Sequence, residues 1–297
     1  MIRLAVRVRR EQAELVLAEL LELAPAGVEE VRVGAETIEY AVYGAPGELP
    51  RLPDLEAAVG EALVEVSTSE TPDDWHERWR EFHRPVVIDA PRLSPGDGRA
   101  VPGVRVRPPW EPAAGGPGGD LHEIVIDPAQ AFGTGGHAST RLCLELLLEV
   151  AARERASAPL LDVGTGSGVL AIAAAHLGFA PVLALDHERE SVEAAQENAL
   201  QNGAAIEVRR FDLRSQALPW LDGEGRRDSL VVVANLLRPL LLALARTMPA
   251  APRHLLAGGL LCHEVDEVAS AFGERLALHE RERRESGEWA AVWLSRG

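Results

Sequence analysis

Short apolar runs alternate with segments of helical periodicity through the second half of the chain. Runs of this length are typical of strands buried in a sheet, and the periodic segments are typical of helices that cover its faces. The predicted strands are Leu160–Asp162, Val182–Leu185, Ile206–Arg210, Leu230–Ala234, Arg253–Leu256, Arg275–Leu278 and Trp289–Leu294. The predicted helices are Val169–Leu177, Glu188–Gln201 and Leu236–Met248. The pattern therefore predicts an α/β fold with a seven-stranded, doubly wound, Rossmann-like sheet that has an antiparallel edge.

The first part of the chain has a different pattern, with short strands around two amphipathic segments. The predicted order is a strand at Ile2–Val8, a helix at Arg10–Leu23, strands at Val28–Val33 and Thr37–Tyr43, a helix at Asp54–Leu63 and a strand at Leu63–Val66. This order predicts a small α+β domain of the ferredoxin-like class over residues 1–68. We expect this domain to recognise a macromolecular substrate, and a purely structural role is the alternative.

Residues 69–120 are predicted to connect this domain to a second domain, residues 121–297. A capped helix is predicted at Thr71–Pro85. Beyond it, Arg92–Asp120 is rich in glycine and proline, which favours an irregular connection with one short strand at Val104–Val106.

Three glycines at alternate positions lie between the first two strands of the predicted sheet. They are Gly164, Gly166 and Gly168. Glycine allows a backbone to approach a ligand closely, and the start of the helix behind them leaves N–H groups free. The next strand leads to Asp186, whose carboxylate can accept hydrogen bonds from the two hydroxyls of a ribose. Together these features predict a nucleotide-binding βαβ unit, with a tight structural turn as the alternative.

The acidic residue before these glycines narrows the class of ligand. Asp162 precedes Gly164 by two residues, and the spacing is G-x-G-x-G rather than the G-x-G-x-x-G of dinucleotide sites. A carboxylate at this position would repel a pyrophosphate and attract a cation such as the amino group of S-adenosylmethionine. An alternative function, from another class of enzyme, is that of a nicotinamide-dependent oxidoreductase. Both features disfavour it.

A second glycine loop precedes this unit. The stretch Ile124–Leu148 begins as an apolar strand, passes through a loop that holds Phe132, Gly133 and His137, and ends as a leucine-rich helix. Because this loop comes just before the glycine turn, both can face one ligand. A tight linker is the alternative, but it does not account for the Phe, Thr and His among the glycines.

The composition excludes several classes of protein. All 30 basic residues are arginine, so the chain has neither a P-loop lysine nor a Schiff-base lysine. Its two cysteines form no disulfide framework and have no zinc spacing, so we expect a reduced protein without a metal. The formal net charge of −16 disfavours direct nucleic-acid binding and suits a basic partner.

The sequence predicts no membrane segment. It has no run of 18 apolar residues, and the N-terminal MIRLAVRVRR lacks the apolar core of a signal peptide. We therefore expect a cytoplasmic monomer with no membrane partner.

The second loop also carries a family resemblance. It reads DPAQAFGTGGHAST and resembles the D-P-x-x-A-F-G-T-G-x-H-x-x-T pattern of the bacterial methyltransferases of ribosomal protein L-eleven (L11), the PrmA family. The segments LAIAA after the glycine turn and VVANLL at Val232–Leu237 are similar to that family as well. The resemblance is strong from about Ile124 to Leu237 and weaker elsewhere, while order and length agree along the whole chain.

The resemblance implies a class I methyltransferase that uses S-adenosyl-L-methionine to methylate lysine ε-amino and N-terminal α-amino groups of the basic protein L11. It implies cofactor contacts for Thr140, Gly164, Asp186 and Asn235. To these the residues themselves add Phe132, Gly133, Asp162 and Gly166, with Asp212 as a weaker candidate on the adenine side. Asn235 is the expected catalytic residue, whose amide oxygen accepts from the incoming amine.

Alternatives remain open for the residues and for the whole protein. The alternative role of Asn235 is that of a cap at the strand end, and the alternative role of Phe132 is that of a core residue. His137 is either a helix cap or a polar residue of the pocket. For the whole protein, one alternative is a methyltransferase of the same fold that acts on another protein or on a small molecule. A nicotinamide-dependent oxidoreductase and a binding protein that has lost catalysis are the remaining alternatives.

Overall fold

The computed structural model describes residues 2–13, 16–17, 20, 28–32, 37–44, 49–50, 53, 55, 60–70, 83–91, 98–113, 121–128, 135–154, 157–219 and 228–297. The chain divides into two compact units, residues 1–82 and residues 83–297. The domain boundaries expected at residues 68 and 120 stay predictions.

The first unit contains a four-stranded antiparallel sheet. Its strands are β1 (Ile2–Arg9), β2 (Glu29–Arg32), β3 (Thr37–Gly44) and β4 (Leu63–Glu70), in the order β2-β3-β1-β4. Short 3-10 helices lie at Arg10–Gln12 and Gly60–Ala62. The alternation along β1 buries Leu4, Val6 and Val8. On the other face of β1, Arg3 and Arg7 form ion pairs with Glu39.

The ferredoxin-like class stays a prediction. The helices predicted at Arg10–Leu23 and Asp54–Leu63 lie only partly within the described residues. The helix predicted at Thr71–Pro85 lies outside them up to Phe82, and the three residues after Phe82 are not helical.

The second unit begins with a three-stranded sheet. Its strands are β5 (Val86–Ile88), β6 (Gly103–Arg107) and β7 (Leu121–Val125), with β6 antiparallel to β5 and parallel to β7. The Asn202 side chain continues the pairing at β7, because it accepts from Val125 N and donates to Val125 O, both at 2.7 Å. The sequence pattern predicted β6 and β7, whereas the three residues of β5 are too few to show a period.

A seven-stranded sheet forms the body of the second unit and confirms the predicted α/β fold. Its strands are β8 (Leu160–Val163), β9 (Val182–Asp186), β10 (Ile206–Arg210), β11 (Val231–Asn235), β12 (His254–Leu261), β13 (Leu278–Ser286) and β14 (Trp289–Arg296). Their order is β10-β9-β8-β11-β12-β14-β13. The strands from β10 to β12 are parallel, and β14 is antiparallel to both β12 and β13.

Helices cover both faces of this sheet. They are α1 (Ala138–Arg153), α2 (Val169–His176), α3 (Arg189–Gln201), α4 (Arg238–Thr247) and α5 (Val265–Leu276), with a 3-10 helix at Cys262–Glu264. Alternate residues of β11 pack on opposite sides, Val233 with α1 and α2 and Val232 with α4 and α5. Gly203, with φ of +59°, follows the end of α3 and confirms the predicted stop there. No helix within the described residues is long and apolar enough to span a membrane.

The strand predicted at Arg275–Leu278 is wrong. Arg275 lies in the last turn of α5, a helix that the pattern did not predict, and β13 begins only at Leu278. Ala277, with φ of +53°, separates the two elements. Most of β13 reads HERERRES and lies at the sheet edge. Charged residues protect such an edge and remove the apolar period that would have located the strand.

Candidate active site

The glycine turn joins β8 to α2 at the carboxyl edge of the parallel strands. Gly164, Gly166 and Gly168 have φ of +77°, +54° and +84°, a conformation that residues with a Cβ rarely adopt. The N–H groups of Gly164 and Thr165 donate to the same oxygen, Leu185 O, at 2.8 and 2.9 Å. The dihedral angles of this turn therefore favour glycine, and a Cβ on Gly164, 2.3 Å from Leu236 Cδ2, would also force that side chain to move.

Asp186 ends β9 beside this turn. Its Oδ2 accepts from Gly166 N at 2.9 Å, and its Oδ1 accepts from Glu188 N at 3.1 Å. These bonds fix the carboxylate, and each oxygen keeps a further lone pair. Asp186 lines a pocket whose apolar walls include Phe211, Leu213 and Leu236. A fixed carboxylate at the side of an apolar pocket suits a ribose that carries a flat base.

Asp162 lies in β8 and is fully buried. Its Oδ2 accepts from Thr165 Oγ1 at 2.7 Å, whereas its Oδ1 has no hydrogen-bond partner among the described residues. Burial raises the pKa of this carboxyl to about 7, because the bond from Thr165 offsets only part of the desolvation. A cationic group beside Oδ1 would pair with this carboxyl and favour its ionised form.

Asn235 ends β11, the strand next to β8. Val233 pairs with Asp162 in the register of these strands, so Asn235, two residues further on, points to the same face as Asp162. Its Nδ2 donates to Thr140 Oγ1 at 3.3 Å. Its Oδ1 is buried without a hydrogen-bond partner in the described part of the chain. The site therefore holds two buried oxygens on neighbouring strands, and the described residues supply a donor to neither of them.

The start of α1 supplies the partner of Asn235. Thr140 is fully buried in the first turn of this helix. His137 caps the turn, because its Nδ1 accepts from Ser139 N at 3.3 Å. The His137 ring packs edge-to-face on Trp289, with centroids 4.6 Å apart, and burial lowers its pKa. Of the two roles left open for His137, the geometry shows the helix cap.

The remaining predicted residues are two in the second glycine loop and Asp212. Phe132 and Gly133 lie outside the described residues. Asp212 is exposed and lines the same pocket as Asp186, where its Oδ1 accepts from Arg214 N and its Oδ2 from Ser215 Oγ, both at 2.9 Å. The backbone bond from Arg214 is the largest of the interactions that lower the pKa of Asp212. In this structure the carboxylate orders the loop after β10.

Some residues of the site were missed in the sequence. Buried Asn198, in α3, donates from Nδ2 to Ser167 O at 2.9 Å and so ties that helix to the glycine turn. Leu236 lies against Gly164, and no local pattern relates either Asn198 or Leu236 to the turn. Thr165 had a usable signal, because a hydroxyl three residues after a buried carboxylate can donate to it.

Comparison with known proteins relates this chain to a family of methyltransferases. A family model described as ribosomal protein L11 methyltransferase (PrmA) matches residues 54–296. The chain is 37% identical over 225 residues to the ribosomal protein L11 methyltransferase of Heliobacterium modesticaldum, and the match covers 74% of this chain and 63% of that protein. It is 37% identical over 247 residues to the Geobacter sulfurreducens protein of the same name, covering 81% of this chain and 73% of that protein. The matched stretch thus spans less than two thirds of the length of the Heliobacterium relative.

One solved structure is similar in both sequence and fold. It is a ribosomal protein L11 methylase from Lactobacillus delbrueckii subsp. bulgaricus, with a TM-score of 0.55 and 29% sequence identity. The match covers 71% of this chain and 98% of that chain. This likeness agrees with the Rossmann-like sheet of the second unit.

Proposed function

The chain belongs to the ribosomal protein L11 methyltransferase family, and we propose that it transfers methyl groups from S-adenosyl-L-methionine to amino groups of ribosomal protein L11. The observation that carries this proposal is a pair of buried oxygens, Asp162 Oδ1 and Asn235 Oδ1, for which the described residues supply no donor. The methyl donor carries an ammonium group and the acceptor is an amine. Each of these nitrogens can therefore donate to one of the two oxygens.

The residues around the glycine turn fit the methyl donor. When bound, S-adenosyl-L-methionine supplies a methyl group on a positively charged sulfur, which an amine displaces. Asp162 would hold the ammonium group, since its Oδ1 is buried and has no partner in the described part of the chain. Asp186, already fixed by two backbone N–H groups, would hold the ribose hydroxyls. Phe211 and Leu236 would contact the base from the pocket walls.

The two glycine-bearing segments complete the proposed cofactor site. Gly164 and Gly166 lack side chains where the backbone turns toward the pocket, so they permit close approach. Thr140, at the start of α1, is proposed to contact the methionine end. Phe132 and Gly133, in the loop before α1, are proposed to cover the cofactor.

Asn235 is the proposed catalytic residue. Thr140 occupies its Nδ2, so its Oδ1 is the group left to accept from an incoming amine. The amine reacts only in its neutral form, and a site from which water is excluded favours that form. Asn235 would then aim the nitrogen lone pair at a carbon about 3 Å away, which is the geometry that makes such a displacement fast.

The identity of the acceptor groups is the finer part of the proposal. Lysine ε-amino and N-terminal α-amino groups are the proposed acceptors, supported by the motif resemblance. The net charge of −16 supports a basic protein substrate, and the first unit, residues 1–82, is proposed to recognise it. The proposal also includes a monomer that acts in the cytoplasm and binds neither nucleic acid nor membrane directly.

Transfer to ribosomal proteins tests the proposal. The chain is incubated with S-adenosylmethionine carrying a labelled methyl group and with ribosomal proteins from cells that lack an L11 methyltransferase. We expect label on L11, at amino groups located by mass spectrometry. Label only on another protein or on a small molecule would reject L11 as the substrate.

Calorimetry separates the proposal from the oxidoreductase alternative. We expect the chain to bind S-adenosylhomocysteine and not NAD, because Asp162 opposes a pyrophosphate. Binding of NAD without binding of S-adenosylhomocysteine would contradict the proposed function.

A further inference from the structure

Two adjacent glycines interrupt β12 beside Asn235. Strand β12 pairs with β14 on one side, and the register of this pair shifts between Ala257 and Leu260. Gly258 and Gly259 therefore form a bulge in the strand. On its other side β12 is parallel to β11, where Gly258 is the partner of Asn235. A bulge next to a site commonly redirects a neighbouring group, and glycine within a strand marks a close approach.

The close approach here is to the amide oxygen of Asn235. A Cβ on Gly258 would lie 3.2 Å from Asn235 Oδ1, and a Cβ on Gly259 would lie 3.1 Å from the same atom. Gly259 also has φ of +76°, and its Cβ would lie 2.7 Å from Leu236 O. The amide oxygen thus rests against two positions that have no side chain.

Cys143, in α1, lies behind the bulge. A Cβ on Gly258 would lie 2.3 Å from Cys143 Sγ, so the thiol occupies the space that a side chain at position 258 would need. Cys143 is fully buried, and both burial and the nearby charge of Asp162 raise the pKa of its thiol. A thiol that stays protonated is a neutral packing group here and exerts no charge on the amide.

These contacts fix the orientation of the Asn235 amide from two sides. Thr140 Oγ1 accepts from its Nδ2, while the bulge sets where its Oδ1 lies. Beyond Asn235, Leu236 N donates to Gly258 O at 3.1 Å, which keeps β11 and the bulge joined. Resting on the proposed methyl transfer, we propose that Gly258 and Gly259, backed by Cys143, are positioning residues that hold the Asn235 amide where its oxygen meets the acceptor nitrogen.

A pair of variants separates this role from simple packing. Gly258→Ala alone would clash with Cys143 Sγ, so the test places it in a Cys143→Ala background. There the new Cβ meets Asn235 Oδ1 without the clash against sulfur. The matched control is Cys143→Ala by itself, which keeps the bulge free of side chains.

The first readout follows the amide directly. The chain contains three asparagines, Asn198, Asn202 and Asn235, so their side-chain amide resonances in the full-length, ¹⁵N-labelled protein are few. Asn235→Asp identifies the Asn235 resonance by its loss. We expect that resonance to move in the double variant relative to Cys143→Ala, while those of Asn198 and Asn202 stay in place.

The second readout is the reaction. We expect kcat to fall about tenfold or more in the double variant relative to Cys143→Ala, because a misplaced acceptor loses its alignment. The affinity for S-adenosylhomocysteine should be the same in both. An unchanged Asn235 resonance together with an unchanged kcat would overturn the proposal.

A measurement on the unaltered protein decides the matter if the double variant does not fold. The proposal expects the Asn235 side-chain amide to be as ordered as that of buried Asn198, with an order parameter above about 0.6. An order parameter below about 0.6, the range expected for an exposed amide such as that of Gln196, would overturn it. If the unaltered protein transfers no methyl group, the proposed function fails, and these resonances still report whether the bulge holds the amide.

Discussion

At the scale of single residues, the site is distinguished by polar atoms that are buried and have no hydrogen-bond partner within the described ranges. Asp162 Oδ1 and Asn235 Oδ1 are such atoms. A buried acceptor without a donor costs roughly 1–3 kcal/mol, and more when it is charged. A fold that retains two of them on one face has given up stability there, which is common where a ligand later supplies the donors. Both residues therefore lend themselves to tests that separate stability from function.

Asp162→Asn should stabilise the protein at alkaline pH. A carboxyl whose pKa rises from 3.8 when unfolded to about 7 when folded loses stability as the pH rises through that window. The loss is on the order of 4 kcal/mol. We expect the variant to unfold at a higher urea concentration than the unaltered protein at pH 8, with a smaller difference at pH 5. Asp89→Asn, at an exposed carboxylate, is the control, and parallel pH curves for Asp162→Asn and the unaltered protein would contradict the prediction.

The same substitution should weaken binding of S-adenosylhomocysteine. The ammonium group would lose its charged partner, and a hydrogen bond to a charged group contributes about 1.5–3 kcal/mol, so we expect a loss of roughly 10- to 100-fold at pH 8. Calorimetry measures the affinity. In the unaltered protein the affinity should also fall as the pH drops below about 7, because Asp162 becomes protonated. Equal affinities in the two proteins at pH 8 would remove Asp162 from the cofactor site.

Asn235→Ala should stop transfer and spare the fold. The oxygen that Asn235 loses has no partner in the described structure, so its removal leaves no broken hydrogen bond at that atom. We expect kcat to fall about 100-fold or more, by analogy with the loss of one preorganised polar group from an active site. Affinity for S-adenosylhomocysteine should stay within about threefold. Gln196→Ala, on the exposed side of α3, is the control, and unchanged turnover in Asn235→Ala would refute the catalytic role.

At the scale of elements, α2 links the glycine turn to the three-stranded sheet. Its first residue follows Gly168, and its last, His176, stacks on His122 of β7 with ring centroids 5.6 Å apart. His176 Nε2 is buried without a partner within the described ranges, and burial lowers the pKa of both rings. The carboxyl end of a helix favours a cation by about 0.3–1 kcal/mol, which would raise the pKa of His176. Because that pKa is lowered instead, burial outweighs the effect of the helix.

This histidine pair predicts a loss of stability in acid. Both histidines have a pKa below 6.5 in the folded protein and of 6.5 in the unfolded chain. The unfolded chain therefore binds more protons in this range, and the stability of the fold decreases as the pH drops from about 7 to 5. His122→Phe keeps a stacked ring and removes one titrating group, so the acid loss should become shallower. Urea unfolding from pH 5 to pH 8 measures it. His263→Phe, at an exposed position, is the control, and an unchanged slope in His122→Phe would contradict the prediction.

At the scale of the whole molecule, charge governs the proposed encounter with the substrate. A chain with a net charge of −16 attracts a basic protein over distances that salt shortens from about 10 Å at 0.1 M to about 3 Å at 1 M. We expect KM for L11 to rise several-fold between about 0.05 and 0.5 M salt. Affinity for S-adenosylhomocysteine, measured in the same buffers, should change little, because Asp162 and Asp186, its proposed partners, are buried. A KM that does not respond to salt would exclude electrostatic steering.

Much of the second unit was predictable because its signals are local. The spacing of the glycines, the apolar runs and Asp186 at the end of β9 are all readable within a few residues, and the seven-stranded sheet agrees with them. The features that the sequence missed have no such local signal. β5 is too short to show a period, and β13 replaces apolar residues by charged ones at an exposed edge. Asn198 and Leu236 reach the glycine turn only through packing, which no local pattern records.

The sequence by itself determined the order of strands and helices from β7 to β12 and the turn that favours glycine, since these depend on neighbouring residues. Only the tertiary structure decided that Asp162 and Asn235 share one face, because that depends on the register between two strands distant in the chain. It also decided that both keep an oxygen to which no described residue donates, since burial and pairing are properties of the packed interior.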